Sequence, residues 1–199
     1  MKRLLVVYDK NIKDKGRDSY LKAIKREIPR AEIFDVRDPI VPRWGDKVLI
    51  LRPMNNLYRT SEVWFSNSDR DIEGIYTGKL TITAEAILRV IGEVENKTIL
   101  IINQSDVLGK PLAKELIELG ANVFSINSSF SDYKIIKNLN PDILISASGD
   151  DDFKLKGSYL KDIKTIIDLS DDIDYENKIT SIPTIEVLKD RLRLWNKKN

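Results

Sequence analysis

The sequence predicts an α/β protein built on a parallel, doubly wound sheet. From Thr83 onward short apolar runs alternate with helix-length stretches, the order that makes βαβ units. The runs are apolar throughout, as strands covered by helices on both faces are, and Thr98–Ile102 (TILII) is the clearest. A polar, turn-rich stretch, Asn55–Lys79 with Gly74 and Gly78, sets a smaller α/β region apart and marks the expected linker.

The elements follow in order. Leu4–Val7 is a β-rich apolar run, and Asn11–Arg17 reads as a polar loop. A helix is predicted from Asp18, as N-cap, to about Glu27, with Tyr20, Ile24 and Ile28 on one face and Pro29 as its stop. Ala31–Val36 and Lys47–Leu51 are strand candidates across a turn holding Pro39 and Pro42. Ala84–Ile91 is a helix, Thr98–Ile102 a strand, and Pro111–Leu119 a helix with proline in its first turn and Gly120 past its end. Ala121–Ile126, Asp142–Ala147 and Thr165–Leu169 are further apolar strands. Thr184–Trp195 closes the chain as an amphipathic helix capped by Thr184, with Ile185, Leu188, Leu192 and Trp195 along one stripe.

Composition excludes several chemistries. The 199 residues are 42% hydrophobic, enough for a core. Lys and Arg number 33 against 31 Asp and Glu, interspersed along the chain, which is not the footprint of a nucleic-acid binder. With no Cys there is no disulfide, thiolate nucleophile or cysteine zinc site; with no His there is no Ser-His-Asp triad or His-ligated metal. Proton transfer falls to Lys, Tyr or a carboxylate. No apolar run is long enough to span a bilayer, and the apolar start stops at Asp9, so it reads as a first strand rather than a signal peptide. A cytoplasmic protein without membrane or nucleic-acid partners is expected. The acidic runs Asp150–Asp152 and Asp171, Asp172 and Asp174 read as solvated turns, Lys197–Lys198 as a frayed tail, and Trp44, Trp64 and Trp195 as packing.

The loop Asn103-Gln104-Ser105-Asp106-Val107-Leu108-Gly109-Lys110-Pro111 follows the TILII strand and opens a helix. Ligands of open parallel sheets bind there. It is not a GxGxxG loop, so the residues alone leave two readings: a dinucleotide loop, or a tight turn in which Gly109 serves the backbone.

Several stretches together resemble the bifunctional methylenetetrahydrofolate dehydrogenase/cyclohydrolase family. Thr81-Ile82-Thr83-Ala84 stands where that family has P-x-T-P. Ile101–Pro111 matches V-V-G-R-S-x-x-V-G-x-P, and Ile126-Asn127-Ser128-Ser129-Phe130 takes the place of C-H-S-x-T. Asp142–Gly149 matches D-I-L-I-x-A-x-G, and Ile166–Ser170 matches V-I-D-V-G. More faintly, Asp18-Ser19-Tyr20 resembles the start of S-Y-x-x-x-K, Leu49–Met54 resembles L-V-Q-L-P-L, and Arg70–Gly74 resembles K-D-V-D-G. The resemblance covers nearly the whole chain, without the family's N-terminal helix and several loops.

The resemblance implies a two-domain fold. Residues 1–80, joined by a C-terminal helix (184–199) that packs back on them, would form a small pterin-binding α/β domain. Residues 81–183 would form a Rossmann-like domain for NAD or NADP. It implies an oxidoreductase of one-carbon folate metabolism that transfers a hydride from a methylene-tetrahydropterin to the nicotinamide, and a homodimer. Carried over, Tyr20, Lys25 and Glu73 are the catalytic candidates. Tyr20, Arg52, Pro53 and Glu73 would hold the small-molecule substrate. Asn103, Gln104, Ser105, Leu108, Gly109, Lys110, Pro111, Ser128, Ser129, Ala147, Ser148 and Gly149 would line the cofactor. No metal is expected.

The departures bear on activity. Tyr20 plus four is Ile24, and Lys25 is turned a further ~100° around the helix, so cyclohydrolase activity is in doubt and Lys25 also reads as a solvated lysine. Tyr20 reads equally as part of the apolar face, and Glu73 as a turn carboxylate. Leu51 replaces a family glutamine, and the family's C-terminal glycine-rich loop shrinks to Thr180-Ser181-Ile182-Pro183-Thr184. Gln104 replaces the arginine that suits a 2′-phosphate, yet no acid ends the next strand to mark NAD. The alternative to an enzyme is a degenerate member that binds a pterin or nucleotide without turnover.

Overall fold

The computed structural model describes residues 3–55, 69–132 and 134–197. The chain divides into two compact units: residues 1–82 with 184–199, and residues 83–183.

The first unit holds a three-stranded parallel sheet in the order β2-β1-β3, with β1 at Leu4–Tyr8, β2 at Glu32–Asp35 and β3 at Lys47–Ile50. Leu5 faces Glu32 on one side and Val48 on the other, and Leu5, Val7, Val36, Ile40, Val48 and Met54 make one apolar cluster. Helix α1 (Lys15–Glu27) joins β1 to β2 and buries Leu21 and Ile24. It starts earlier than the sequence predicts. Asp14, not Asp18, is the cap: its carboxylate accepts the Arg17 N–H at 2.6 Å, while Asp18 sits in the first turn against the Arg17 guanidinium. The guanidinium is buried and donates to the carbonyls of Asp9 and Ile12, which closes the β1–α1 turn. The final helix, α5 (Thr184–Lys197), packs on α1 and ties to it through Lys189 and Glu27 at 2.6 Å. Thr184 is its first helical residue rather than its cap.

One tryptophan departs from a packing role. Trp44 is 93% exposed. Its turn closes through Asp46, which accepts the Arg43 N–H and pairs with Arg3 at 2.6 Å, leaving the ring outside. Trp195 instead lies under the Lys47 ammonium, 5.7 Å from the ring centre. Trp64 and Lys198 lie outside the described residues, as does 56–68 of the expected linker. The remainder, 69–79, joins the first sheet through a bridge between Val48 and Asp71, so it is sheet margin rather than linker.

The second unit opens on α2 (Ile82–Ile91). Its parallel sheet runs β5-β4-β6-β8, with β4 at Thr98–Ile102, β5 at Asn122–Ile126, β6 at Ile143–Ser146 and β8 at Thr165–Asp168. Central β4 pairs Ile99 with Val123 and with Ile143, and Ile99 to Ile102 are sealed from water. That explains the unbroken apolar runs. Helix α3 (Gly109–Glu118) and helix α4 (Lys134–Leu139) flank β5 in the chain. A short parallel pair, β7 (Leu155–Lys156) and β9 (Ile173–Asp174), closes the unit over Phe153 and Leu160.

Candidate functional site

Each unit carries its own candidate site. In the first, the turn 69–80 leaves the edge of β3. Asp71 is its scaffold: its carboxylate accepts the N–H groups of Gly74 (2.8 Å), Tyr76 (2.9 Å) and Thr77 (3.1 Å). Gly74 has φ +99, and a Cβ there would lie 3.0 Å from the Lys79 carbonyl oxygen, so the turn requires glycine. This geometry drives Glu73 inward, where it is 8% exposed.

The Glu73 carboxylate accepts the Ile82 N–H at 3.2 Å. Burial pushes its pKa up to about 7, opposed by the nearby Arg191 guanidinium. Arg191, from α5, holds the turn itself: it donates to the carbonyls of Ile72 (2.9 Å), Glu73 (2.8 Å) and Leu80 (2.5 Å). The Tyr20 hydroxyl is buried without a hydrogen-bond partner among the described residues, and burial, then the Glu73 charge, push its pKa up. Arg52 donates to the Tyr76 hydroxyl at 3.3 Å. Arg52, Asp71, Glu73 and Tyr76 line a recess floored by Val48 and Ile50, with an enclosed part of about 10 Å³, the size of one water.

Of the predicted substrate residues, Tyr20, Arg52 and Glu73 therefore gather in one neighbourhood of the first unit. Pro53 is exposed at its margin, after a cis Arg52–Pro53 bond. Lys25 is exposed on α1, about 140° around the helix from Tyr20. It does not join the buried group.

The second site lies where the strand order reverses. The chain leaves β4 for β5 on one side and returns to β6 on the other, which makes the carboxyl ends of β4 and β6 a switch point. Asn103 spans it. Its Nδ2 donates to the Ala147 carbonyl at 2.6 Å, and its Oδ1 accepts from the Ser105 N–H, the Ser105 hydroxyl and the Gly109 N–H, at 2.9, 2.8 and 2.9 Å. The Ser105 hydroxyl accepts the Leu108 N–H at 3.1 Å. The α3 start is thus capped by the loop's own side chains. Leu108 is buried, Pro111 sits in the first turn of α3, and Lys110 pairs with Asp106 at 2.6 Å. A Cβ on Gly109 would stand 1.9 Å from the Asn103 carbonyl oxygen, so Gly109 is a packing requirement.

Toward β5, Gln104 donates to the Ser125 carbonyl at 3.0 Å and accepts from the Asn127 amide at 3.2 Å; Asn127 in turn accepts from the Ser129 hydroxyl at 2.6 Å. Ser128 beside them is half-buried. Toward β8, Asp172 is fully buried and accepts the Ser146 hydroxyl (2.6 Å), the Ser148 hydroxyl (2.6 Å) and the Ser148 N–H (2.9 Å). Asp168, also buried, accepts the Asp172 and Ile173 N–H groups and the Lys178 ammonium. Asp172 is therefore not the solvated turn residue that its acidic run predicts. A Cβ on Gly149 would meet nothing within 4 Å, so the loop after β6 borders open space. Amide and hydroxyl groups at the ends of β4 and β5 fit the ribose hydroxyls of a dinucleotide.

The sequence reading missed Asp172 and Arg191. Asp172 is hidden in an acidic run, and Arg191 stands one turn from buried Val187 and Leu188 on a helix whose partner is distant in sequence. Among the described residues no acidic cluster is placed to hold a metal ion, and no helix is long and apolar enough to cross a membrane.

Comparison with known proteins supplies the wider frame. Residues 81–182 match the model of the tetrahydrofolate dehydrogenase/cyclohydrolase NAD(P)-binding domain. The bifunctional protein FolD of Clostridium botulinum (strain Okra / Type B1) is 29% identical over 130 residues, which are 63% of this chain and 45% of that protein. The match thus spans about half the length of the relative. Among solved structures, the NAD-dependent 5,10-methylenetetrahydrofolate dehydrogenase of Saccharomyces cerevisiae superposes with a TM-score of 0.75 at 16% identity, covering 98% of this chain and 87% of that one. The Trypanosoma brucei methylenetetrahydrofolate dehydrogenase-cyclohydrolase, complexed with NADP and an inhibitor, gives 0.73 at 14% identity, covering 99% and 87%. At these identities the structural likeness establishes the fold.

Proposed function

This chain belongs to the tetrahydrofolate dehydrogenase/cyclohydrolase family, and we propose that it is an NAD(P)-dependent dehydrogenase that oxidises methylenetetrahydrofolate, or a closely related tetrahydropterin, to the methenyl form. The observation that carries this reading is the buried Glu73 carboxyl beside the Tyr20 hydroxyl in the first unit. A carboxylate offers two acceptor oxygens to the adjacent amino and ring N–H donors of a pterin. Tyr20 offers a ring edge and a hydroxyl, and Arg52 a cation at the rim of the recess.

The dinucleotide, when bound, supplies the hydride acceptor. Gln104, Asn127 and Ser128 would hold its ribose, and the loop Ala147–Gly149, fixed by Asp172, would border it. Hydride transfer needs no proton relay, so a chain without His or Cys can perform it by positioning. Cyclohydrolase activity is not part of the proposal, because Lys25 is exposed and away from the Tyr20 face.

A second reading is a family member that binds without turnover. The capped start of α3 favours it, since Asn103 already occupies the Gly109 and Ser105 donors. Formation of the methenyl product with NAD or NADP, lost in Glu73→Ala, supports the dehydrogenase; pterin binding without product supports the second reading. We further propose a cytoplasmic homodimer formed through β5, an edge strand beside which Phe124 is 45% and Ile117 60% exposed.

A further inference from the structure

We propose that the second unit selects a dinucleotide whose adenosine ribose carries a free 2′-hydroxyl, through the amide bridge between Gln104 and Asn127. The inference rests on the dinucleotide reading above and narrows it from either cofactor to NAD.

The bridge joins the carboxyl ends of neighbouring strands. Gln104 reaches from the end of β4 to the Ser125 carbonyl on β5, and Asn127, one residue past β5, donates back to the Gln104 side-chain oxygen at 3.2 Å. In an open parallel sheet the adenosine ribose rests over this pair of strand ends. Both amides are uncharged. Gln104 keeps a donor and an acceptor position for a ligand, and Asn127, whose oxygen accepts from the Ser129 N–H and hydroxyl, keeps a donor; together they match a hydroxyl that itself donates and accepts.

A 2′-phosphate asks for something else. It carries close to two negative charges and calls for a guanidinium or ammonium. Residues 103–109 and 127–132 contain neither Lys nor Arg, and they contain two acids, Asp106 and Asp132. The cations that bound these stretches are Lys110, which directs its ammonium to Asp106 at 2.6 Å, and Lys134, the exposed first residue of α4. A phosphate set on this bridge would face neutral amide dipoles, whereas a hydroxyl would replace water at little cost.

The bridge also holds its own geometry. The second hydrogen of the Gln104 amide and that of the Asn127 amide are left for a ligand once Ser125 and Gln104 have taken the first of each. Two neutral donors from adjacent strands can grip a ribose edge; they do not neutralise a dianion.

Calorimetric titration of the intact chain with NAD and, separately, with NADP tests the proposal without turnover. The expected result is a Kd for NAD at least tenfold lower than for NADP. Competition by 5′-AMP against 2′,5′-ADP should show the same order. Gln104→Arg should tighten NADP at least tenfold, with an unfolding midpoint close to that of the wild type because position 104 is exposed. Equal or tighter NADP binding by the wild type overturns this inference and leaves the dehydrogenase reading standing. Failure to bind either nucleotide, in protein that still binds a tetrahydropterin, overturns the inference together with the cofactor assignment.

Discussion

Arg191 of α5 donates to the main-chain oxygen of Glu73 at 2.8 Å, although 118 residues separate the two. One guanidinium holds three carbonyls of the turn, at Ile72, Glu73 and Leu80. The last helix of the chain thereby fixes the carboxylate assigned to the substrate. Replacing Arg191 with Gln takes the charged donor from all three carbonyls and leaves at least one with no donor, and hydrogen bonds to charged groups are worth about 1.5–3 kcal/mol each. We expect a loss of about 2–3 kcal/mol in urea unfolding, and weaker pterin binding with nucleotide binding unchanged.

The Glu73 carboxyl makes stability depend on pH in a stated direction. Its folded pKa, about 7, lies above the ordinary 4.5 because burial disfavours the charge. Between those values the folded chain holds a proton that the unfolded chain releases. Its contribution is therefore full below pH 4.5 and is lost as pH rises through 7. Glu73→Gln should remove this decline, so the variant should be more stable than wild type at pH 8 and nearly equal to it at pH 4. Thermal unfolding across that range checks the sign. Pterin binding by the wild type should strengthen as pH rises through 7, where the carboxylate forms.

Two glycine-to-alanine changes should have opposite effects. At Gly109 the new Cβ would stand 1.9 Å from the Asn103 oxygen, and the backbone of the loop would have to move. A loss of about 3 kcal/mol or failure to fold follows. At Gly16, in α1, the nearest atom a new Cβ would meet beyond the helix backbone is the Asp14 carboxylate oxygen at 3.5 Å, so Ala fits and should stabilise by about 0.5–1 kcal/mol. Chemical denaturation of both variants separates the two outcomes.

Asp172 ties the loop after β6 to the one after β8. Asp172→Ala takes the acceptor from the Ser146 hydroxyl and the Ser148 N–H and opens a small void, while the Ser148 hydroxyl keeps its bonds to Asp150. Unsatisfied buried groups cost about 1–3 kcal/mol each, with partial relief from water, so a loss of about 2–4 kcal/mol is expected. Nucleotide affinity should fall more than pterin affinity, because Ser148 lies in the loop assigned to the dinucleotide.

Much of the fold was legible because apolar periodicity reports burial directly. Thr98–Ile102 is a strand to the residue, and Pro29 does mark the end of α1, at Glu27. The α1 start was misread because Asp14 and Asp18 offer the same capping chemistry, and the choice depends on where β1 delivers the chain. In the candidate site, Glu73 could be picked out through its place before Gly74, and Gln104 through the arginine it replaces. Arg191 and Asp172 could not be. Their roles come from groups far along the chain, which the residues beside them in sequence do not reveal. Trp44 shows the converse, an aromatic predicted to pack whose turn closes without it.

The central claim is that this chain moves a hydride from a reduced pterin to a nicotinamide. Incubation with methylenetetrahydrofolate deuterated at the methylene carbon, plus NAD, followed by mass spectrometry of the dinucleotide, tests it directly. The account predicts deuterium in the reduced nicotinamide with wild type and none with Glu73→Ala. Protein that is folded and binds both ligands, yet leaves no label in the nicotinamide, would contradict it.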